Sequence, residues 1–392
     1  MKDTPQLEAR IREWTNAGLI DAEAGARILA YQAGQEKGAT LRGPILIALV
    51  FGGILLAAGI TLFVAAHWAE LSPAARFSLV LIVVGAVHLG GAGLAGRFPA
   101  LSSTLHALGT VALGAAIFLA AQIFNLHENF ATGVLLWAMG AAAGYLLLRD
   151  WSQAALLALL APAWLVSEWA VATQGHSGGG HPLAVGLVLT ALTFLSARMG
   201  DQASSPRRAL VWIGGLALLP TAGVAIGISM AEPTIARLDQ RSPLLPGSLA
   251  AAWIVALAGP LVLAWALRGR EAWINLAWAA WTCAVVLSAS REHSFSEGAY
   301  HQSFGATLVL YALCAIGSAG LVVWGLREKR KERLNLGIAA FAISVMFFYF
   351  DSFMDKLGRS ASLLVLGLLC LGGGYVLEMT RRRLTAQLEA SR

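Results

Sequence analysis

The chain has 392 residues, of which 57% are hydrophobic and only 13% charged, with a mean hydropathy of +0.68. A soluble globular chain carries about 25% charged residues, so this composition excludes a water-covered surface. The formal net charge of +6 is distributed as a membrane-orientation signal and not as a nucleic-acid surface.

The first 42 residues form a polar lead segment. Thr4-Pro5 reads as an N-cap followed by proline at the first helical position, after which Leu7, Ile11 and Trp14 share one face. Gly18 breaks this helix, and a second is predicted from near Asp21, carrying Ile28 and Tyr31, before GQEKGAT loosens the chain. Six basic and six acidic side chains balance in this segment, whereas a DNA-binding surface is clearly basic. The helical pair is therefore expected to dock on the membrane domain or on a partner protein. No cleavable signal peptide is expected, because the first apolar run is already a full-length span.

Twelve apolar runs follow, most of about 17 to 23 residues and each long enough to cross roughly 30 Å of hydrocarbon. They cover 45–66, 77–96, 100–124, 131–148, 154–172, 182–199, 209–231, 247–267, 272–289, 303–325, 334–350 and 361–378. Strands of about ten residues alternating polar and apolar, the mark of a membrane β-barrel, do not occur. The fold class read from the sequence is an all-α polytopic transmembrane bundle of about 12 spans. Residues 1–42 are its cytoplasmic helical segment, 43–380 the bundle and 381–392 a basic cytoplasmic tail.

The short polar stretch Asn125 to Asn129 interrupts the run AAQIFNLHENFATGVLLW and reads as the turn between the third and fourth spans. With the N-terminus inside, alternate loops hold 22 Lys and Arg on the cytoplasmic side and 6 on the other. The positive-inside rule then puts both termini in the cytoplasm. The run REKRKER (Arg327 to Arg333) and the triplet Arg381 to Arg383 are expected to meet anionic headgroups.

Pro162, Pro220 and Pro260 lie within spans and are expected to kink them. Gly140 and Gly144 stand in GxxxG spacing, and Gly90, Gly91, Gly93 and Gly96 crowd one span end, a pattern that allows close helix approach. Cys283, Cys314 and Cys370 fall within spans without metal-ligand spacing and read as packing residues.

Ionisable and polar residues inside spans are costly and mark candidate functional positions. These are His88 in the second span, His106 and Gln122 in the third, Glu168 in the fifth and Asn275 in the ninth. His293, Glu297 and His301 are spaced four apart near the outer face, a zinc-capable pattern on a helix, but Gly298 interrupts it and no metal is expected there. Asp351 and Asp355, at the outer end of the eleventh span, are a candidate pair of outer carboxylates with Lys356 and Arg359 placed to neutralise them. No phosphate loop, nucleophile elbow or metalloprotease pattern is present, so neither a cofactor nor an enzymatic activity is expected.

Four stretches resemble the bacterial membrane proteins grouped as domain of unknown function 2157. They are LEARIREWTNAGLIDAEAGARIL (7–29), GITLFVAAHWAELSPAARF (59–77), GAAIFLAAQIFNLHENFATGVLLWAMGAAAGYLLL (114–148) and the segment from Leu334 to Leu384 that contains YFDSFMDKLGR. The resemblance implies a bacterial inner-membrane protein with a short cytoplasmic lead segment and supplies no catalytic residues. Where the family pattern has Asn before Trp, this chain has His67-Trp68. His67, Trp68, Gln122, Asn125 and His127 are then expected to converge at the outer mouth of the first four spans.

Three readings are open. A transporter or solute-binding protein predicts a water-filled path lined by His88, His106, Gln122 and Glu168. A non-transporting envelope scaffold that binds lipids or partner proteins predicts a closed bundle with those groups paired internally. A membrane enzyme acting on lipid-linked substrates would need acid and base residues such as Asp351, Asp355 and the loop histidines.

Overall fold

A segment that crosses hydrocarbon has to satisfy its own backbone hydrogen bonds, and the helix is the form that does so within one segment. The computed structural model describes residues 13–29, 70–125, 129–174, 176–197, 204–238, 242–291 and 304–353, with short stretches at 295–296, 299–300 and within 364–383 and the single residues Ile11 and Leu55. Among the described residues, ten long helices follow one another from residue 73 onward. They are α1 (Pro73–Leu94), α2 (Pro99–Ile123), α3 (Phe130–Leu148), α4 (Trp151–Ala172), α5 (Gly180–Ser196), α6 (Ser205–Leu238), α7 (Pro246–Arg268), α8 (Trp273–Arg291), α9 (Phe304–Arg327) and α10 (Lys331–Phe353). The 3-10 turn Gly269–Ala272 joins α7 to α8. Each helix falls on one of the expected spans from the second to the eleventh. The span expected at 45–66 lies outside the described residues apart from Leu55, and the one expected at 361–378 is described only in part.

By length and composition, eight helical stretches among the described residues can cross a membrane. That count takes Pro246–Ser290 as one stretch, although the 3-10 turn divides it into two helices, and leaves out the 17-residue α5. The strands among the described residues are two pairs of two residues each, β1 (His176–Ser177) with β2 (Ser242–Pro243) and β3 (Phe295–Ser296) with β4 (Ala299–Tyr300).

Helix ends follow local chemistry. Asn125, at φ 50, ends α2 in the left-handed region that Asn tolerates, and the Asn129 side chain accepts the Ala131 amide at 3.3 Å to start α3. Arg149, also at φ 50, ends α3, and the next residue, Asp150, caps α4 through the Trp151 amide at 2.7 Å. A turn of two residues thus suffices to end one helix and start the next.

By contacts the chain divides into two units, Met1–Arg76 and Phe77–Arg392. In the first, Gly18 at φ +70 closes one helix and Asp21 caps the next by accepting the Ala24 amide at 2.6 Å. Gly25 lets the two approach: a Cβ there would stand 3.1 Å from Ile11.

In the second unit α5 is the central helix. From Ala191 to Ala197 every residue is buried, and Val185, Leu189 and Leu192 pack with Val211 and Leu218 of α6, Trp278 of α8 and Trp324 of α9. Two other helix pairs share one device. Trp137 of α3 lies over Gly114 of α2 and donates its indole N–H to the Thr110 carbonyl at 2.8 Å, while Trp281 of α8 lies over Gly317 of α9 and donates to the Leu313 carbonyl at 2.8 Å. In both, the indole sits on a glycine and bonds the carbonyl four residues before it.

The C-terminal end of α5 is held by charge. Its Ser196 carbonyl accepts Arg268 at 2.8 Å and its Leu195 carbonyl accepts Arg333 at 3.2 Å. These are carbonyls that a helix end leaves unpaired. Both guanidiniums also grip Glu328, Arg268 at 2.6 Å and Arg333 by a short bond, and Trp324 donates to the same carboxylate at 2.5 Å. The Arg333 guanidinium stacks 4.0 Å from the Trp324 ring. Arg330 and Arg333, read from the sequence as headgroup contacts, are buried, whereas Arg327 and Lys329 of the same run are exposed.

Burial pulls the Glu328 carboxyl upward, but hydrogen bonding from Arg268, the charge and hydrogen bond of Arg333 and the bond from Trp324 together hold it below the usual carboxylate range. A carboxyl held low in the folded chain contributes stability above its ordinary pKa of about 4.3 and loses it as pH falls through the folded value. Glu328→Gln removes the carboxylate that both buried guanidiniums grip, leaving Arg268 the exposed Glu271 at 3.2 Å, and is expected to cost about 3–5 kcal/mol at neutral pH. Thermal unfolding in detergent checks this, and the gap between variant and wild type should narrow in acid.

Candidate functional site

Two places in the second unit gather the candidate residues. The first is the hairpin of α1 and α2. Each helix carries a histidine followed three residues later by a glycine, His88 with Gly91 and His106 with Gly109. In the antiparallel pair each ring covers the other helix's glycine: a Cβ at Gly109 would stand 2.7 Å from His88 Nε2, and one at Gly91 3.0 Å from His106 Nε2. The two rings meet with Nδ1 to Nδ1 at 3.2 Å, so one Nδ1 carries a hydrogen and the other accepts it. The contact survives neutral or with one added proton, and is lost with two.

His106 is buried, and its carbonyl accepts the Thr110 hydroxyl at 3.1 Å. Thr110 also lies 3.0 Å from the amide of Gln153, which is fully buried at the start of α4. A hydroxyl has one hydrogen. That hydrogen is shared between the His106 carbonyl and the Gln153 side-chain oxygen, both of which accept it. The Ser152 hydroxyl gives its hydrogen to the Asp150 carboxylate at 3.0 Å and accepts the Ser103 hydroxyl at 3.4 Å. Imidazole, hydroxyl and amide thus tie α1, α2 and α4 together.

The expected path through His88, His106, Gln122 and Glu168 is joined only at the histidines. Gln122 is exposed and lies about 24 Å along α2 from His106, and Glu168 lies about 22 Å along α4 from Gln153. Asn125 serves as the left-handed residue that ends α2. His67, Trp68 and His127 lie outside the described residues, as do Asp355, His293, Glu297 and His301. Asp351 is exposed near the end of α10. Asn275 is buried and donates to Ser196 at 3.2 Å and Thr193 at 3.4 Å, a bond between α8 and α5. Among the described residues no group of three or more His, Cys, Asp or Glu could hold a metal ion.

The second place is a groove of about 500 Å³ between α4, α5 and α7, lined by Pro162, Trp164, Glu168, Gly186, Gly259 and Leu263 among others. Gly186 brings α5 against α7, since a Cβ there would be 3.4 Å from the Ala256 Cα. Leu165, Val255 and Leu263 keep 45%, 52% and 36% of their surface exposed, so among the described residues the groove is open sideways. Sequence reading singled out Glu168, Pro162 and Pro260 but not the groove that collects them.

The histidine clasp predicts coupled mutations. Gly109→Leu forces a side chain into the His88 ring and is expected to destabilise the protein by about 1–3 kcal/mol. His88→Ala in that background should recover part of the loss, whereas alone it leaves His106 short of a partner and destabilises. Unfolding of the two single variants and the double variant measures the coupling, and simple additivity would contradict the clasp.

Residues 12–154 match the model of a family described as Predicted membrane protein (DUF2157). No curated protein and no solved structure matches the chain. The matched segment holds His88, His106, Thr110, Trp137 and Gln153 and stops near the start of α4, before the groove; the resemblance noted for residues 334–384 lies outside it. Over residues 12–154, a little over a third of its length, the chain is therefore similar to the family described as Predicted membrane protein (DUF2157).

Proposed function

We propose that this is a twelve-span protein of the bacterial inner membrane, with both termini in the cytoplasm, that holds a lipid within the bilayer in the groove between α4, α5 and α7. Ten helices at expected span positions and the bias of 22 to 6 in Lys and Arg support the topology. The groove carries the functional reading. Its volume of about 500 Å³ lies in the range of ligand sites. Its wall runs from Ala251 to Leu263 on α7 and from Pro182 to Phe194 on α5, about 18 Å on each helix. One leaflet of the hydrocarbon core is about 15 Å deep, so a single acyl chain matches the groove in length and in polarity.

The histidines support lipid binding over a solute path, because they bond each other and line no part of the groove. In this reading the lipid bilayer is the partner, and no reaction is catalysed.

Gly259 supplies the test, because it lines the groove and a Cβ there meets nothing within 4 Å, so the ring of Gly259→Phe is expected to occupy the groove. Phosphatidylethanolamine mixed with phosphatidylglycerol, added to the detergent-solubilised chain, is expected to raise the unfolding temperature of wild type and to do so much less for Gly259→Phe. A stabilising water-soluble solute whose effect His106→Ala abolishes would instead establish the solute path. For topology, a cysteine replacing Gln174 should label from outside intact cells, and one replacing Arg270 only after permeabilisation.

A further inference from the structure

The groove is chemically ordered along its length. At one end α4 presents Glu168, exposed, beside Trp169, whose indole is already committed to the Gly179 carbonyl at 2.8 Å. Four residues earlier on α4, about 6 Å along the axis, the indole N–H of Trp164 is buried without an acceptor among the described residues. Deeper still, Ala161, Pro162, Phe194, Pro260 and Leu263 form an apolar wall, and the Thr190 hydroxyl gives its hydrogen to the Gly186 carbonyl at 2.7 Å. The series from mouth to floor is one carboxylate, two indoles and then hydrocarbon. Glu168 is the sole ionisable side chain among the described lining residues.

From this order we infer that the groove selects a phospholipid whose headgroup carries a primary amine. The inference rests on the lipid-groove reading above. An ammonium at Glu168 gains a charge-assisted hydrogen bond, and the flanking indoles of Trp164 and Trp169 are surfaces that attract cations. The acyl chain then follows the apolar wall. A fatty acid or a phospholipid with an uncharged alcohol headgroup brings only negative charge to the mouth and meets the Glu168 carboxylate unfavourably.

Native mass spectrometry of the full chain in detergent tests this, with phosphatidylethanolamine and phosphatidylglycerol of identical acyl chains supplied in equal amounts. Wild type is expected to retain the amine lipid about threefold over the glycerol lipid, the scale of one partly exposed ion pair. Glu168→Gln should bring that ratio to about one while lipid is still retained, and Glu168→Asp should keep the preference. Equal retention of the two lipids by wild type, or a preference unchanged in Glu168→Gln, overturns the amine assignment; the groove reading then stands provided Gly259→Phe still loses both. Lipid retained undiminished by Gly259→Phe, or none retained by wild type, overturns the groove reading itself and points to another segment of this chain or a second copy as the occupant.

Discussion

Inside a bilayer, hiding a leucine between two helices gains almost nothing, because lipid chains are as apolar as leucine. Helices there are held by close approach and by polar bonds, and this chain relies on both. Its large apolar residues are left outside freely, as Leu147, Trp265 and Leu216 show at 84%, 68% and 72% exposure. Its contacts are made where a glycine removes a side chain and a ring takes the place. Trp137 on Gly114, Trp281 on Gly317 and the reciprocal His88 and His106 on Gly109 and Gly91 are one solution used repeatedly. In each case the ring brings a nitrogen that bonds across the interface, so dispersion and a hydrogen bond are gained at one position.

The second half adds an ionic solution. Two guanidiniums buried at one end of α5 are tolerated because each finds both a carboxylate and a helix-terminal carbonyl. Those carbonyls carry the negative end of the helix dipole. The central helix is short, and its cap is assembled from α7, α9 and α10 rather than from residues that follow it in sequence.

This difference explains what was legible in the sequence. Helix positions were, because hydrophobic run length is a local property, and so was the break that Asn125 and Asn129 mark between α2 and α3. The run from Arg327 to Arg333 was not: its composition reads as an orientation signal, and only the approach of α5 turns Arg333 into a cap. His88 and His106 were singled out as costly intramembrane groups, but their meeting depends on hairpin register. The repeated histidine and glycine three residues apart was the available signal. The groove left the weakest trace, two prolines and a glutamate, because it is built by three helices that no sequence period connects.

Helix α4 relates the two candidate places. It begins where the family match ends, with Gln153 bonded to Thr110 and Ser152 bonded to Ser103 and Asp150. Gly144 leaves room for the Gln153 amide, since a Cβ there would stand 2.8 Å from its oxygen. A helix pinned at one end by directional bonds has its rotation about its own axis set along its whole length. Fifteen residues separate Gln153 from Glu168, about 60° round the helix after whole turns are removed. The buried amide therefore fixes the sector of α4 in which Glu168 stands, and that sector is the wall of the groove. Polar bonding in the family segment orients a carboxylate that lies beyond it.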